Sequence, residues 1–237
     1  MLAVLINVIA VIIGSATGTF FGNRIGEKYT KSVMVCLGIC TAVIGVQGAV
    51  ATSNILIVIV CAVLGTVIGT LLRIDDRLDS LAGKVQNKLS GTKFGRGKFA
   101  EGFTTTTILF CVGTMTVLGS IEAGLNHNYS ILITKSIMDL ISSIAYSAVF
   151  GIGVMASAVS VLVIQGAIVL LAGVVASPVL TPEVITEMSA VGGVLFIGLA
   201  INMIGLRQEK IKVGDMLPAI FIPIIWFPLS KLIAGLF

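Results

Sequence analysis

The chain of 237 residues is 57% apolar and only 11% charged, with a mean hydropathy of +1.11. Those values lie outside the range of soluble globular domains and define an integral membrane protein. The formal net charge of +4 comes from lysines and arginines clustered between apolar runs, so it bears on membrane orientation and anionic headgroups, and no nucleic-acid motif accompanies it.

Read from the start, the sequence divides into apolar stretches of about 18 to 22 residues, each long enough to cross a hydrocarbon core of about 30 Å. The first, Leu2–Phe21, lacks the basic start and small-residue cleavage site of a signal peptide and is expected to stay as a mature helix. Further spans are predicted at Val33–Ala51, Ile55–Leu72, Phe103–Leu125, Ser130–Gly151, Ser157–Val175, Met188–Leu206 and Met216–Leu236. The expected fold is an all-α polytopic membrane helix bundle of about eight transmembrane helices, forming a single domain over residues 1–237.

The loop after the first span carries Arg24, Lys28 and Lys31, and the stretch after the third carries Arg73, Arg77, Lys84, Lys88, Lys93, Arg96 and Lys98. Arg207, Lys210 and Lys212 follow the seventh. With eight spans these segments share one side, which the positive-inside rule makes cytoplasmic, so both termini are expected outside. Within residues 73–100, Ile74, Leu78, Leu81, Val85 and Leu89 recur at helical spacing. That pattern predicts an interfacial amphipathic helix on the cytoplasmic leaflet, followed by a glycine-rich basic loop without phosphate-loop spacing.

Three segments share a helix end with glycine-spaced small residues, a polar step and a turn into another helix: "GICTAVIGVQGAVATSNILIVIV", "CVGTMTVLGSIEAGLNHNYSILITKSIMD" and "GGVLFIGLAINMIGLRQEKIKVGDMLPA". In the alternating topology the first two turn outside and the third inside, the arrangement expected of partly inverted internal repeats. Gly14, Gly18 and Gly22, and Gly65 with Gly69, recur every four residues. Such a stripe lets backbones approach closely, either within the chain or across a homodimer face. Gly151 and Gly153 mark either a tight turn or an unwound segment facing a cavity. Pro218, Pro223 and Pro228 are expected to bend the last span.

The residues that are costly in lipid single out a site. Lys135 and Asp139 lie in the outer half of the fifth span, and each needs a partner and a path to protein or water. Glu122 on the preceding helix falls at nearly the depth of Lys135, which predicts a Glu122–Lys135 ion pair. Asp139 is then expected to meet Thr114, Thr116 or Ser120 across the hairpin. Ser136 and Ser143 flank the charged pair, and Gln165 and Asn202 are polar residues deep in the sixth and seventh spans. These eight residues, Lys135, Asp139, Glu122, Ser120, Ser136, Ser143, Gln165 and Asn202, form the candidate solute-binding set.

Other chemistry has little material. His127 is the one histidine and falls in a short external loop, so His-based metal sites and Ser–His triads are not expected. Cys36, Cys40, Cys61 and Cys111 lie in apolar runs, where a free thiol behaves as a small hydrophobe. No cofactor, metal or enzymatic activity is expected. Glu183 and Glu187 read as a solvated helix start.

The stretches "CVGTMTVLGSIEAGLNHNYSILITKSIMD", "FGIGVMASAVSVLVIQGAIVLLAG" and "GDMLPA" resemble the YqgA/YdfK-type family of bacterial membrane proteins, a domain of unknown function. The likeness runs nearly end to end, through Gly119, Ser120, Glu122, Lys135, Ser136, Asp139, Gly151, Gly153, Gln165, Gly166 and Met216 to Pro218. It implies a polytopic protein of the bacterial cytoplasmic membrane and carries no assigned substrate. The expected function is a secondary transporter or channel-like carrier of a small polar or ionic solute. The alternative is a non-transporting scaffold whose buried charges lock one hairpin. The lipid bilayer, the solute and a second copy docked through glycine-rich faces are the expected partners.

Overall fold

The computed structural model of the chain describes residues 1–22, 27–78, 80, 99–111, 113–175 and 181–227. Among the described residues the regular structure is helical throughout: α1 (Leu2–Gly22), α2 (Glu27–Ala49), α3 (Ile55–Leu72), α4 (Phe99–Cys111), α5 (Thr114–Leu125), α6 (Ser130–Phe150), α7 (Gly153–Val175) and α8 (Pro182–Ile204). A 3₁₀ helix, Val213–Phe221, follows α8. Six of these helices are long and apolar enough to cross a membrane: α1, α2, α3, α6, α7 and α8. The bent pair α4–α5 makes a seventh crossing if it counts as one span. The fold is an all-α polytopic membrane bundle.

Phe103–Leu125 is not the single helix that its apolar run predicts. The chain breaks between α4 and α5 and turns by 55°. Gly113 sits at the break with φ 150° and ψ 154°, a conformation that side chains resist. Thr116 Oγ1 reaches back across the break to Phe110 O at 2.9 Å and satisfies one of the freed carbonyls. The two halves nevertheless track α7 from end to end. Gly153 at the start of α7 lies against the backbone of Phe99, Thr107 Oγ1 meets Ser160 Oγ at 3.1 Å, and Gly124 lies against Val169 and Ala172. A segment that follows a 23-residue helix along its length crosses with it, so α4–α5 is one broken span and not a re-entrant hairpin.

The glycine stripes are docking faces inside the chain. A Cβ added at Gly14 would lie 2.5 Å from Leu140 O, one at Gly22 2.5 Å from Ala148 O, and one at Gly18 would run into the backbone of Ile144. These contacts advance together, so α1 and α6 are parallel. Gly38 faces Ile204 while Gly48 faces Gly193, so α2 and α8 are antiparallel; Gly65 against Ala219 and Gly69 against Asp215 make α3 antiparallel to the 3₁₀ helix. In lipid, where burial alone gives helices little reason to associate, this close approach supplies dispersion contacts. Of the two readings of the Gly14–Gly18–Gly22 and Gly65–Gly69 stripes, these contacts are the one within the chain, against α6 and the 3₁₀ helix. Large side chains such as Ile9, Ile59, Ile137, Val163 and Leu170 point outward to the lipid instead.

Each of those directions agrees with strict alternation of spans. Among the described residues, the segments that follow α3 and α8 meet at one end, where Lys212 Nζ pairs with Asp76 Oδ1 at 2.7 Å and Lys210 Nζ with Glu101 Oε1 at 3.2 Å. Asp75 Oδ1 accepts from Gly214 N, and Asp215 Oδ1 accepts from Asp75 N, so two short helix starts cap each other there. The hydrogen bond and charge of Lys212 hold the Asp76 carboxyl below its ordinary range, and Asp76 raises Lys212 in return. This exposed link weakens as pH falls through the lowered Asp76 value or rises through the raised Lys212 value. At the opposite end Glu187 is fully buried rather than solvated. It accepts from Thr52 Oγ1 (2.6 Å), Ser53 Oγ (3.1 Å) and Ser53 N (3.2 Å), which ties the α2–α3 turn to α8.

Gly151, with φ 71°, joins α6 to α7 in an ordinary tight turn. The last span, predicted at Met216–Leu236, is a 3₁₀ helix through Phe221 and helical over 222–227, and its remainder falls outside the described residues. Pro218 lies inside the 3₁₀ segment and has no N–H for an α-helical bond. Of the interfacial helix predicted within residues 73–100, a helical turn over 74–78 is seen, and 79 and 81–98 are outside the described residues.

The seam between α1 and α6 yields a direct test. Gly18→Val would force the two backbones apart and destabilise the protein by about 1–3 kcal/mol. Gly166→Ala, whose new Cβ would meet nothing nearer than 3.7 Å, leaves stability unchanged. Thermal unfolding of the detergent-solubilised variants reads both.

Candidate functional site

Among the described residues, α6 carries a buried ion pair inside the bundle. Lys135 and Asp139 lie one turn apart on the same face, and Lys135 Nζ reaches both carboxylate oxygens at 2.9 Å. Only 6% of Lys135 and 5% of Asp139 is exposed. Burying two charges costs several kcal/mol each unless geometry and further hydrogen bonds compensate. Part of that compensation comes from α1 and α7. Asn7 Nδ2 donates to Asp139 Oδ2 at 3.0 Å and to Gln165 Oε1 at 3.2 Å, and both amide side chains are fully buried. The Phe110 ring, at the end of α4, lies 5.9 Å from the ammonium. The Cys111 thiol is within electrostatic reach of both charges.

Asp139 dictates how the amides are turned. A carboxylate accepts only, so Asn7 must present its NH₂ to it, and Gln165 must then present its oxygen to that NH₂. Two atoms are left over by this chain of constraint: Asn7 Oδ1 and Gln165 Nε2 are buried with no hydrogen-bond partner. Further along the α1–α6 seam four more buried hydroxyls have no partner, those of Ser15, Thr19, Ser143 and Ser147. Ser120 Oγ on α5 is another. Buried polar atoms are nearly always paired, so this concentration calls for water or a ligand.

The structure brings Lys135, Asp139 and Gln165 together and separates other members of the predicted set. Glu122 does not pair with Lys135. It accepts from Asn126 Nδ2 at 3.1 Å, where α5 ends, and the ammonium goes to Asp139, one turn along its own helix. Asp139 meets neither Thr116 nor Ser120 across the hairpin but Asn7 on α1; the side chain of Thr114 is outside the described residues. Asn202 lies elsewhere, clamping the backbone of Ile211 through Nδ2 to O (2.9 Å) and Oδ1 to N (2.8 Å). Ser136 turns its hydroxyl to Leu132 O at 2.7 Å, and Ser143 keeps a buried, unpaired hydroxyl against α1.

Asn7 was missed by the sequence reasoning. Its signal is that it alone is strongly polar in "LAVLINVIAVIIG", and a buried amide in lipid demands partners as a charge does. Tyr146 on α6 makes a further link between helices. Its hydroxyl shares a 2.5 Å hydrogen bond with Thr41 Oγ1, which joins α6 to α2.

Fold and centre together define a polytopic helical membrane protein with a buried ion pair held among amides from separate spans. The chain belongs to the family described as Protein of unknown function (DUF554), which it matches over residues 2–228. It is 29% identical over 227 residues to the uncharacterised membrane protein YdfK of Bacillus subtilis (strain 168), covering 94% of each chain. It is 26% identical over 219 residues to the uncharacterised protein YqgA of Escherichia coli (strain K12), covering 92% of each. No solved structure matches the chain.

The pair can be probed by removing one partner or both. Lys135→Met leaves the Asp139 carboxylate buried with Asn7 alone and destabilises by about 3–5 kcal/mol. The double variant Lys135→Met/Asp139→Leu removes both charges and recovers most of that loss. Thermal or denaturant unfolding of the four forms in one double-mutant cycle measures the coupling.

Proposed function

We propose that the protein is a secondary transporter, a carrier of a small polar or ionic solute across the bacterial cytoplasmic membrane, and not an enzyme. The observation that carries this reading is the Lys135–Asp139 pair, buried within the apolar span α6 beside unpaired amide atoms and next to the break between α4 and α5. Charges at membrane depth are expensive, and broken spans whose freed backbone groups line a cavity are a recurrent way for carriers to hold a solute. Asn7 and Gln165 join Lys135 and Asp139 as the binding centre. Ser120 and Ser143 supply further hydroxyls, while Glu122, Ser136 and Asn202 have structural roles.

The packing also supports partly inverted repetition. The hairpin α2–α3 lies against α8 and the 3₁₀ helix, element for element and in the opposite sense. The meeting of the basic segments after α3 and α8 at one end supports a cytoplasmic placement of that end and outward-facing termini. The scaffold alternative has one observation in its favour: the pair is closed off on all sides, as a structural lock would be. For a carrier, the same enclosure is the occluded state, and the unpaired atoms distinguish it from a fully matched lock.

Flux decides between these readings. Purified protein in proteoliposomes at two pH values is expected to move a solute from a panel of ions and small polar molecules. Lys135→Met should fall to the level of empty liposomes and Asp139→Asn should lose pH-driven net uptake, both while eluting as intact protein, with lipid-facing Ile137→Ala unaffected. Absence of flux across the panel, with the charge variants merely less stable, would establish the scaffold.

A further inference from the structure

Within the carrier reading, on which this inference rests, the chemistry of the centre indicates what it carries. We infer that the site takes a small monovalent oxyanion, in its simplest form a carboxylate, and that Asp139 is a built-in occupant which this anion replaces together with a proton.

The two members of the pair are not equivalent. Lys135 has favourable surroundings besides Asp139: the Phe110 ring at 5.9 Å, and the end of α4 at Cys111, where helix carbonyls carry partial negative charge. Those features stay in place when the carboxylate leaves, so the ammonium keeps its charge. Among the described residues Asp139 has only Lys135 and Asn7 Nδ2 as side-chain partners. Once another acceptor claims Lys135, the aspartate is left as a buried charge with a single amide, and neutralisation is its way out.

The leftover atoms fit that exchange. Gln165 Nε2 offers two N–H groups, fully buried and unpaired, two hydrogen bonds from the carboxylate. These are donors for an oxyanion and unfavourable neighbours for a cation. Asn7 Oδ1 is the unpaired acceptor. A protonated Asp139 has an O–H to donate to the anion and keeps its carbonyl oxygen for Asn7 Nδ2, so both amides stay as they are and Gln165 Nε2 remains unpaired for the anion. α5, a 12-residue helix whose N-terminus favours negative charge, starts four residues along the chain from Phe110, the ring beside Lys135.

The step balances without any further reagent. The anion enters and takes the Lys135 ammonium; one proton from the open side binds an Asp139 oxygen; one anion and one proton then cross together with no net charge moved. Release on the other side returns the proton and restores the pair. Among the described residues, the titratable groups facing Asp139 are Lys135 on α6 and Cys111 on α4, while α1 and α7 present the amides of Asn7 and Gln165.

The test uses the intact protein in liposomes with a trapped pH dye, offered radiolabelled lactate, formate and nitrate, and rubidium as the cation. At least one anion should accumulate under an inward proton gradient, acidify the lumen by one proton per anion, and enter at a rate independent of an imposed membrane potential. Asp139→Asn, a permanent mimic of the neutral acid, should exchange internal for external anion yet lose proton-driven accumulation. Should that variant not insert, stoichiometry and voltage independence in the unaltered protein decide. Rubidium flux without anion flux overturns the anion inference and leaves the carrier standing. Anion flux driven by voltage without protons overturns the role of Asp139. Absence of all flux overturns the inference and the carrier reading together.

Discussion

The hydrogen bond from Asn7 Nδ2 to Asp139 Oδ2 exists only because α1 and α6 touch backbone to backbone. Gly14, Gly18 and Gly22 on α1 meet Leu140, Ile144 and Ala148 on α6, just past Asp139 on the same face. A helix pair held farther apart would leave the carboxylate with Lys135 alone, and the amide chain to Gln165 on α7 would have no anchor. The bilayer sets this dependence, because no water is available there to complete a polar group that its neighbours leave short.

Close approach through small residues is used repeatedly, and it organises the molecule. The pairs α1–α6, α2–α8 and α3 with the 3₁₀ helix each use glycine on the earlier helix against backbone on the later one. The two ends are then secured by polar links suited to their surroundings. Glu187 is fully buried among hydroxyls and an amide at one end, while exposed Lys212 and Asp76 pair at the other. Between these ends lie the ion pair, its amides and a row of unpaired hydroxyls. Stability and polarity are thus divided: dispersion along the glycine seams holds the helices, and the groups left unsatisfied are concentrated at the centre.

The break in the α4–α5 span connects local backbone chemistry to that centre. Gly113 permits a conformation that ends one helix and starts another, and Phe110, three residues earlier, places its ring by Lys135. Thr116 satisfies one freed carbonyl from across the gap. The aromatic face gives the Lys135 ammonium a neighbour besides Asp139, an asymmetry that the ion pair by itself does not have.

Much of the architecture was legible in the sequence because lipid enforces simple rules. Length and apolarity located the spans, lysine and arginine distribution gave their alternation, and the cost of charge pointed to Lys135 and Asp139. Glycine spacing announced close packing. What it could not reveal was the partner, since a stripe of small residues is equally suited to any backbone. For the same reason depth along a hairpin wrongly suggested Glu122 as the mate of Lys135: depth fixes only one coordinate, and the side chain at i+4 was nearer. Asn7, distant in sequence by 132 residues from Asp139, became part of the centre only through the α1–α6 seam. The break at Gly113 was likewise hidden, because an apolar run reads as continuous whether or not one glycine leaves the helical region. Composition and periodicity therefore determined that the chain crosses the membrane repeatedly and buries charge, whereas tertiary packing decided which helices meet, which amides reach Asp139 and which atoms are left without a partner.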